Sequence, residues 1–167
     1  MAINPEQEPI RSRFVRALPT MLLIMGMGAQ LTAWPVELRD ELVKRGYRVI
    51  IFDNRDVGVS TKFDSAGLPD MEAIFQAKAA GKPVPIAYTL DDMAKDAVEL
   101  LGALGIKKAH IVGVSMGGMI AQLVVADYPE HTLSLTSIMS TSGNPEVPLP
   151  AKPGGHGKTF PAWGTQQ

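Results

Sequence analysis

Ser115, in the stretch Gly113-Val114-Ser115-Met116-Gly117-Gly118, is the side chain of this sequence best placed to do chemistry. Gly-x-Ser-x-Gly after an apolar strand and before a helix describes a nucleophile elbow, a sharp turn that presents a serine hydroxyl at the carboxyl edge of a sheet. The chemistry would be acyl transfer. The hydroxyl oxygen attacks a carbonyl, and backbone N–H groups hold the negative charge that develops on the carbonyl oxygen. Gly113 and Gly117 flank the serine where a side chain would collide as the helix packs back across the strand, and Gly118 with Ala121 keeps that helix close. The helix amino terminus aims free N–H groups and the positive dipole end at the serine, so the N–H of Met116 is one candidate oxyanion donor. The second is expected from a glycine loop after an earlier strand. Met25-Gly26-Met27-Gly28 meets that requirement, with the N–H of Met27 as the candidate. The methionine side chains there read either as the lining of an acyl pocket or as core filler. GVSMGG also reads as a tight strand-to-helix turn without chemistry, so the elements around it carry the weight.

Those elements alternate. Met21 to Met25 is a short apolar run stopped by Gly26-Met27-Gly28, as a buried strand entering a turn would be. A helix follows from about Trp34-Pro35, with Leu38, Leu42 and Val43 as its apolar face and Gly46 as its stop. Tyr47 to Phe52 is a second strand that runs into the loop Asp53-Asn54-Arg55-Asp56. Residues 61–88 are punctuated by Gly67, Pro69, Gly81, Pro83 and Pro85 around a short helix from about Asp70 to Ala80, a surface excursion. Thr89 with Asp92 announces the next helix, in which Met93, Ala97, Val98, Leu101 and Leu104 recur at helical spacing before Gly105. Ala109 to Val114 is a third strand, Gly117 to Tyr128 a helix stopped by Pro129, and Leu133 to Ser140 a fourth strand. Strand–helix alternation predicts a parallel sheet and an α/β fold. The chain divides into an irregular leader over 1–19, a core over 20–143 and a tail over 144–167. That tail carries Pro145, Pro148, Pro150, Pro153 and Pro161 without apolar periodicity, and is expected to be mobile.

Composition narrows the alternatives. With 16 basic and 17 acidic residues and a net charge of −1, nothing favours nucleic acid or an anionic membrane as partner. The lack of cysteine removes disulfides and thiolate metal sites, and His110, His131 and His156 have no metal-ligand spacing, so no metal and no cofactor is expected. Arg11, Arg13 and Arg16 before the apolar run imitate a secretory signal, but Gly26 and Gly28 break that run; a cytoplasmic chain is expected. Nothing approaches the roughly 20 apolar residues of a membrane span. Gly155-His156-Gly157-Lys158-Thr159 imitates a phosphate-binding loop, yet Lys152 stands where its first glycine belongs. Leu31 likewise replaces the third glycine that Gly26 and Gly28 would need for a dinucleotide fingerprint.

Leu22 to Pro35, Tyr47 to Ser60, Tyr88 to Ile106, His110 to Gln122 and Ser134 to Pro145 resemble successive blocks of an α/β-hydrolase, in particular esterases of the aclacinomycin methylesterase type. The resemblance implies Ser115 as nucleophile, Met27 and Met116 as oxyanion donors, and a small ester-like substrate. Asp53, Arg55, Gly58 and Ser60 resemble the family's loop after its fourth strand, with Asp56 where many members carry glycine, and the resemblance gives them a structural role as an ion-paired turn. The family orders its triad as nucleophile, acid, histidine, with a cap and further strands after the elbow. From Ser115 to Gln167 there is room for one helix, one strand and a tail. A truncated core of about four strands is therefore expected, without cap or last strands. His110 and His131 belong to the core and are not expected to reach Ser115; His156, oriented by Glu146, is the substitute base the tail could offer, without the rigid support that catalytic geometry needs. Two outcomes stay open: a weakly active hydrolase, or a non-catalytic chain that self-associates through the exposed edge of its fourth strand.

Overall fold

The computed structural model describes residues 18–144. Four strands, β1 (Thr20–Ile24), β2 (Arg48–Ile51), β3 (Ala109–Val114) and β4 (Thr132–Ile138), pair in parallel in the order β2-β1-β3-β4. Parallel neighbours need crossover connections, and helices supply them. These are α1 (Val36–Lys44) between β1 and β2, α2 (Met71–Ala79) and α3 (Leu90–Ala103) between β2 and β3, and α4 (Met116–Asp127) between β3 and β4. The predicted leader before residue 18 and the tail beyond residue 144, with Glu146 and His156, lie outside the described residues.

The central strands are apolar because both their faces are covered. On one face Leu22, Ile24 and Ile111 are fully buried under Ala94, Ala97 and Leu101 of α3 and Ile120, Ala121 and Val124 of α4. On the other, Leu23 and Met25 pack with the buried Trp34, and Val112, Val114 and Leu42 join them. Coverage is uneven. The face expected for α1 is only partly used: Leu42 reaches the core, but Leu38 and Val43 remain 40% and 57% exposed. This helix lies chiefly over β2, an edge strand, and meets the sheet along a narrow line. No residue of α2 is buried, as befits a surface excursion. On β4, at the other edge, Leu133 and Ile138 are half-exposed. Among the described residues no helix is long and apolar enough to cross a membrane.

Helix α3 starts at a reciprocal cap. Asp92 N–H donates to Thr89 Oγ1 at 3.3 Å, and Thr89 N–H donates back to Asp92 Oδ2 at 2.7 Å. The Thr89 backbone N–H, more than its hydroxyl, holds the Asp92 carboxyl below its ordinary pKa, so this contribution is present above that ordinary value and lost as pH falls through the lowered one. Thr89→Ala should lower stability by about 1 kcal/mol in chemical denaturation at neutral pH. Only the share due to the Thr89 hydroxyl's bond to the Asp92 carboxylate should fade in acid, because the bond from Asp92 N–H to Thr89 Oγ1 does not titrate and alanine keeps the backbone N–H.

Candidate active site

Ser115 occupies the single residue between β3 and α4. Its backbone is in a region that L-residues seldom adopt, φ 55° and ψ −122°, and its N–H donates to the Ile138 carbonyl of β4 at 2.9 Å. This bend turns an extended strand into a helix within one residue and leaves the side chain exposed. The hydroxyl makes no capping bond to its own helix, so it is not consumed by the role serine usually plays there. Gly118 and Met119 N–H groups donate to the Ser115 carbonyl. Met116 N–H, at the first helical position, is one of the groups that an α-helix leaves without an intrahelical acceptor.

The glycines of the motif are explained by contact. A Cβ at Gly113 would overlap the backbone of Gly117, and one at Gly117 would overlap the carbonyls of Ile24 and Met25 at the end of β1. At Gly118 a Cβ would come within 2.5 Å of Ser140 Cβ. Gly26 sits against the serine itself: a Cβ there would lie 3.2 Å from Ser115 Cβ and 3.7 Å from its Oγ. The loop after β1 therefore abuts the serine, as the register Ile24↔Gly113 requires. Met27 follows at the surface, 80% exposed, and Gly28 turns the chain with φ +70°. Of the two methionine side chains, Met25 is core filler beside Leu23 and Trp34, whereas Met27 is open to solvent.

The turn after β2 is the part that the sequence conveyed least. Arg55 does form an ion pair, but with α3: its Nε and one terminal nitrogen each meet an Asp96 carboxylate oxygen at 2.7 Å. That hydrogen-bonded pair raises the Arg55 pKa, and the guanidinium also lies about 5 Å from the ring centres of Phe63 and Tyr88. Asp56 has a left-handed backbone, φ 65°, a conformation in which glycine is free of the strain that other residues bear. A hydrogen bond from the Tyr88 phenol, and then one from Phe63 N–H at 2.7 Å, hold the Asp56 carboxyl below its ordinary pKa. The phenol is pushed up to about 12, first by burial and then by Asp56. Because the folded value exceeds the ordinary 10.0, the stability this phenol contributes is complete below pH 10 and disappears as pH rises toward 12. Phenolate absorbance should reveal a tyrosine ionising near pH 12, and Tyr88→Phe should delete that component.

No base stands beside Ser115 among the described residues. His110 is five positions back along β3, about 16 Å at the usual rise of a strand, and its Nδ1 shares a 2.7 Å hydrogen bond with Ser134 while its ring meets Tyr47 edge-on. His131 precedes β4 and donates to the Lys107 carbonyl at 3.0 Å.

A family model described as alpha/beta hydrolase fold matches residues 19–167. The chain belongs to the α/β-hydrolase family. Among curated proteins this α/β-hydrolase is similar to a rhodomycin D methylesterase of a Streptomyces species, 34% identical over 119 residues that make up 71% of this chain and 34% of that protein. It thus spans about a third of the curated relatives it matches, and its four parallel strands are a partial α/β-hydrolase fold. Among solved structures it is similar to a hydrolase from Pseudomonas aeruginosa, with TM-score 0.52 and 26% identity, covering 71% of this chain and 36% of that one. An enol-lactonase from Burkholderia xenovorans, TM-score 0.57 and 21% identical, covers 75% of this chain and 39% of its own, and shows the same fold.

Proposed function

We propose that this α/β-hydrolase chain carries the nucleophile half of a carboxylic ester hydrolase, with Ser115 as nucleophile and the backbone N–H groups of Met27 and Met116 as the oxyanion hole. The observation that carries the reading is the contact of Gly26 with Ser115, which puts a glycine loop and a helix amino terminus on either side of one exposed hydroxyl. The similarity to a methylesterase supports an ester as the substrate class. In the reaction Ser115 Oγ bonds to the ester carbonyl carbon, and the former carbonyl oxygen takes the electron pair between the two N–H donors. Collapse of that intermediate expels the alkoxide, and water then releases the acid. The hydroxyl proton goes to solvent water, because neither described histidine reaches it.

Activity of this chain is accordingly weak. An oxyanion hole and substrate binding without a functioning triad still exceed the uncatalysed rate by ~10³-fold. The substitute base His156 and acid Glu146 lie outside the described residues, and the scheme does not call on them. A fluorophosphonate probe tests it, since Ser115 Oγ would displace fluoride from phosphorus and leave a stable adduct.

One observation favours a second reading, a non-catalytic chain that self-associates. Edge strand β4 carries no charge over Thr132–Ile138, and Leu133, Leu135, Ile138 and Met139 are 50%, 39%, 42% and 80% exposed. Light scattering decides it: a concentration-dependent dimer supports this reading, and a monomer at high concentration removes it.

A further inference from the structure

We infer that Asp53 and Asn54, neither of which touches Ser115, are positioning residues that clamp the two ends of the Met25–Leu31 loop and so fix the Met27 N–H. The inference rests on the reading of Ser115 and Met27 given above.

Asn54 is 3% exposed and Asp53 7%, among the few polar residues the core encloses. Each spends its side chain on the same loop. Asn54 Nδ2 donates to the Met25 carbonyl at 2.9 Å, which fixes the plane of the Met25–Gly26 peptide. Asp53 Oδ1 accepts the Leu31 N–H at 2.6 Å, six residues further along. Between these two anchors the loop holds Gly26 and Gly28, whose freedom would otherwise let the Met27 N–H wander, and a single 3.3 Å bond from Ala29 N–H to the Gly26 carbonyl.

The clamp is itself held. Asp53 Oδ2 accepts Val59 N–H at 3.2 Å, Ser60 Oγ donates to the Asp53 carbonyl at 2.6 Å, and Gly58 leaves the carboxylate space that any Cβ would fill. The next residue, Arg55, ties the same turn to Asp96 on α3. Three consecutive residues therefore join the turn after β2 to the loop after β1 on one side and to the helix layer on the other. An oxyanion donor must be fixed before charge develops, and displacement of an ångström can lower a rate ~10²-fold.

Two variants test the clamp. Asn54→Ala removes the first anchor, and Leu31→Pro removes the N–H that the second anchor holds, together with the leucine side chain, while leaving Asp53 in place, at the first position of a 3-10 turn where proline is well tolerated. Phosphonylation of Ser115 by a fluorophosphonate is followed by intact mass at several probe concentrations, with amide exchange measured in parallel. The maximal labelling rate should fall at least tenfold in each variant with half-saturating probe within about twofold of wild type, the reverse of what general loosening of a binding surface would give. Exchange at Ala29 should quicken at least tenfold, while Leu23 and Ile24 in β1 keep wild-type protection. Unchanged Ala29 exchange in both variants, or faster exchange there matched in β1, would overturn the clamp. If wild-type Ser115 takes no label at all, the nucleophile reading fails, and Ala29 exchange alone still decides whether Asp53 and Asn54 hold the loop.

Discussion

Gly117→Ala should destabilise the protein by about 3 kcal/mol, the upper end of what overpacking a core ordinarily costs. The added methyl would overlap the Ile24 and Met25 carbonyls. Ile24 ends β1 in register with Gly113 of β3, and the Met25 carbonyl is held by Asn54 Nδ2, so these are fixed backbone atoms and no rotamer change relieves the contact. Relief requires α4 to lift from the sheet, which uncovers Ile120, Ala121 and Val124 and carries Ser115 away from Gly26. In a chain of this size a loss of that order lowers the melting temperature by roughly 6–12 °C. Gly102→Ala is the matched control. It lies inside α3 with nothing near the position of a new Cβ, and there alanine should stabilise by up to about 1 kcal/mol through helix propensity alone. Opposite signs for the two substitutions, read from denaturation midpoints, would assign the Gly117 effect to contact and not to a general intolerance of alanine for glycine.

Ser115→Ala should abolish covalent labelling while lowering turnover of an activated ester by less than about tenfold, the remainder passing through direct attack of water on an ester held in the oxyanion hole. The asymmetry follows from how triads work: their members act as a unit, and once one is missing, removal of another has little further effect because what remains comes from the oxyanion hole and binding. On the proposed reading this chain is already in that state, since its described histidines are engaged with Ser134 and Lys107. Labelling differs because the adduct needs the oxygen of Ser115 itself. A fall in ester turnover of several thousandfold in Ser115→Ala would show instead that a working base reaches the serine.

The elbow was legible in the sequence because its constraints are local. The spacing of Gly113, Ser115 and Gly117 already encodes a strand that turns into a helix within one residue, and β3 spans the same Ala109–Val114 that its apolar run suggested. The cap of α3 was legible for the same reason, since Thr89 and Asp92 sit three residues apart. The turn after β2 was not. Its interactions join Arg55 to Asp96 across 41 residues and Asn54 to Met25 across 29, and no periodicity carries a pairing of that length. One signal was present: the apolar run of β2 continues without a break into Asp53 and Asn54, so polar residues at the end of a buried strand had to find partners inside. The partial burial of α1 was hidden for another reason. Helical spacing gave the apolar stripe Leu38, Leu42 and Val43, but not the width of sheet available beneath it.

Ser115 is proposed as a mounted nucleophile with no base beside it among the described residues, and the direct measurement is the time course of fluorophosphonate labelling followed by intact mass and peptide mapping. One adduct per chain should form, on Ser115, accumulating slowly over hours in the folded protein and absent both from the urea-unfolded protein and from Ser115→Ala. No adduct on folded protein after prolonged exposure, or an adduct that forms equally fast after unfolding, would contradict it.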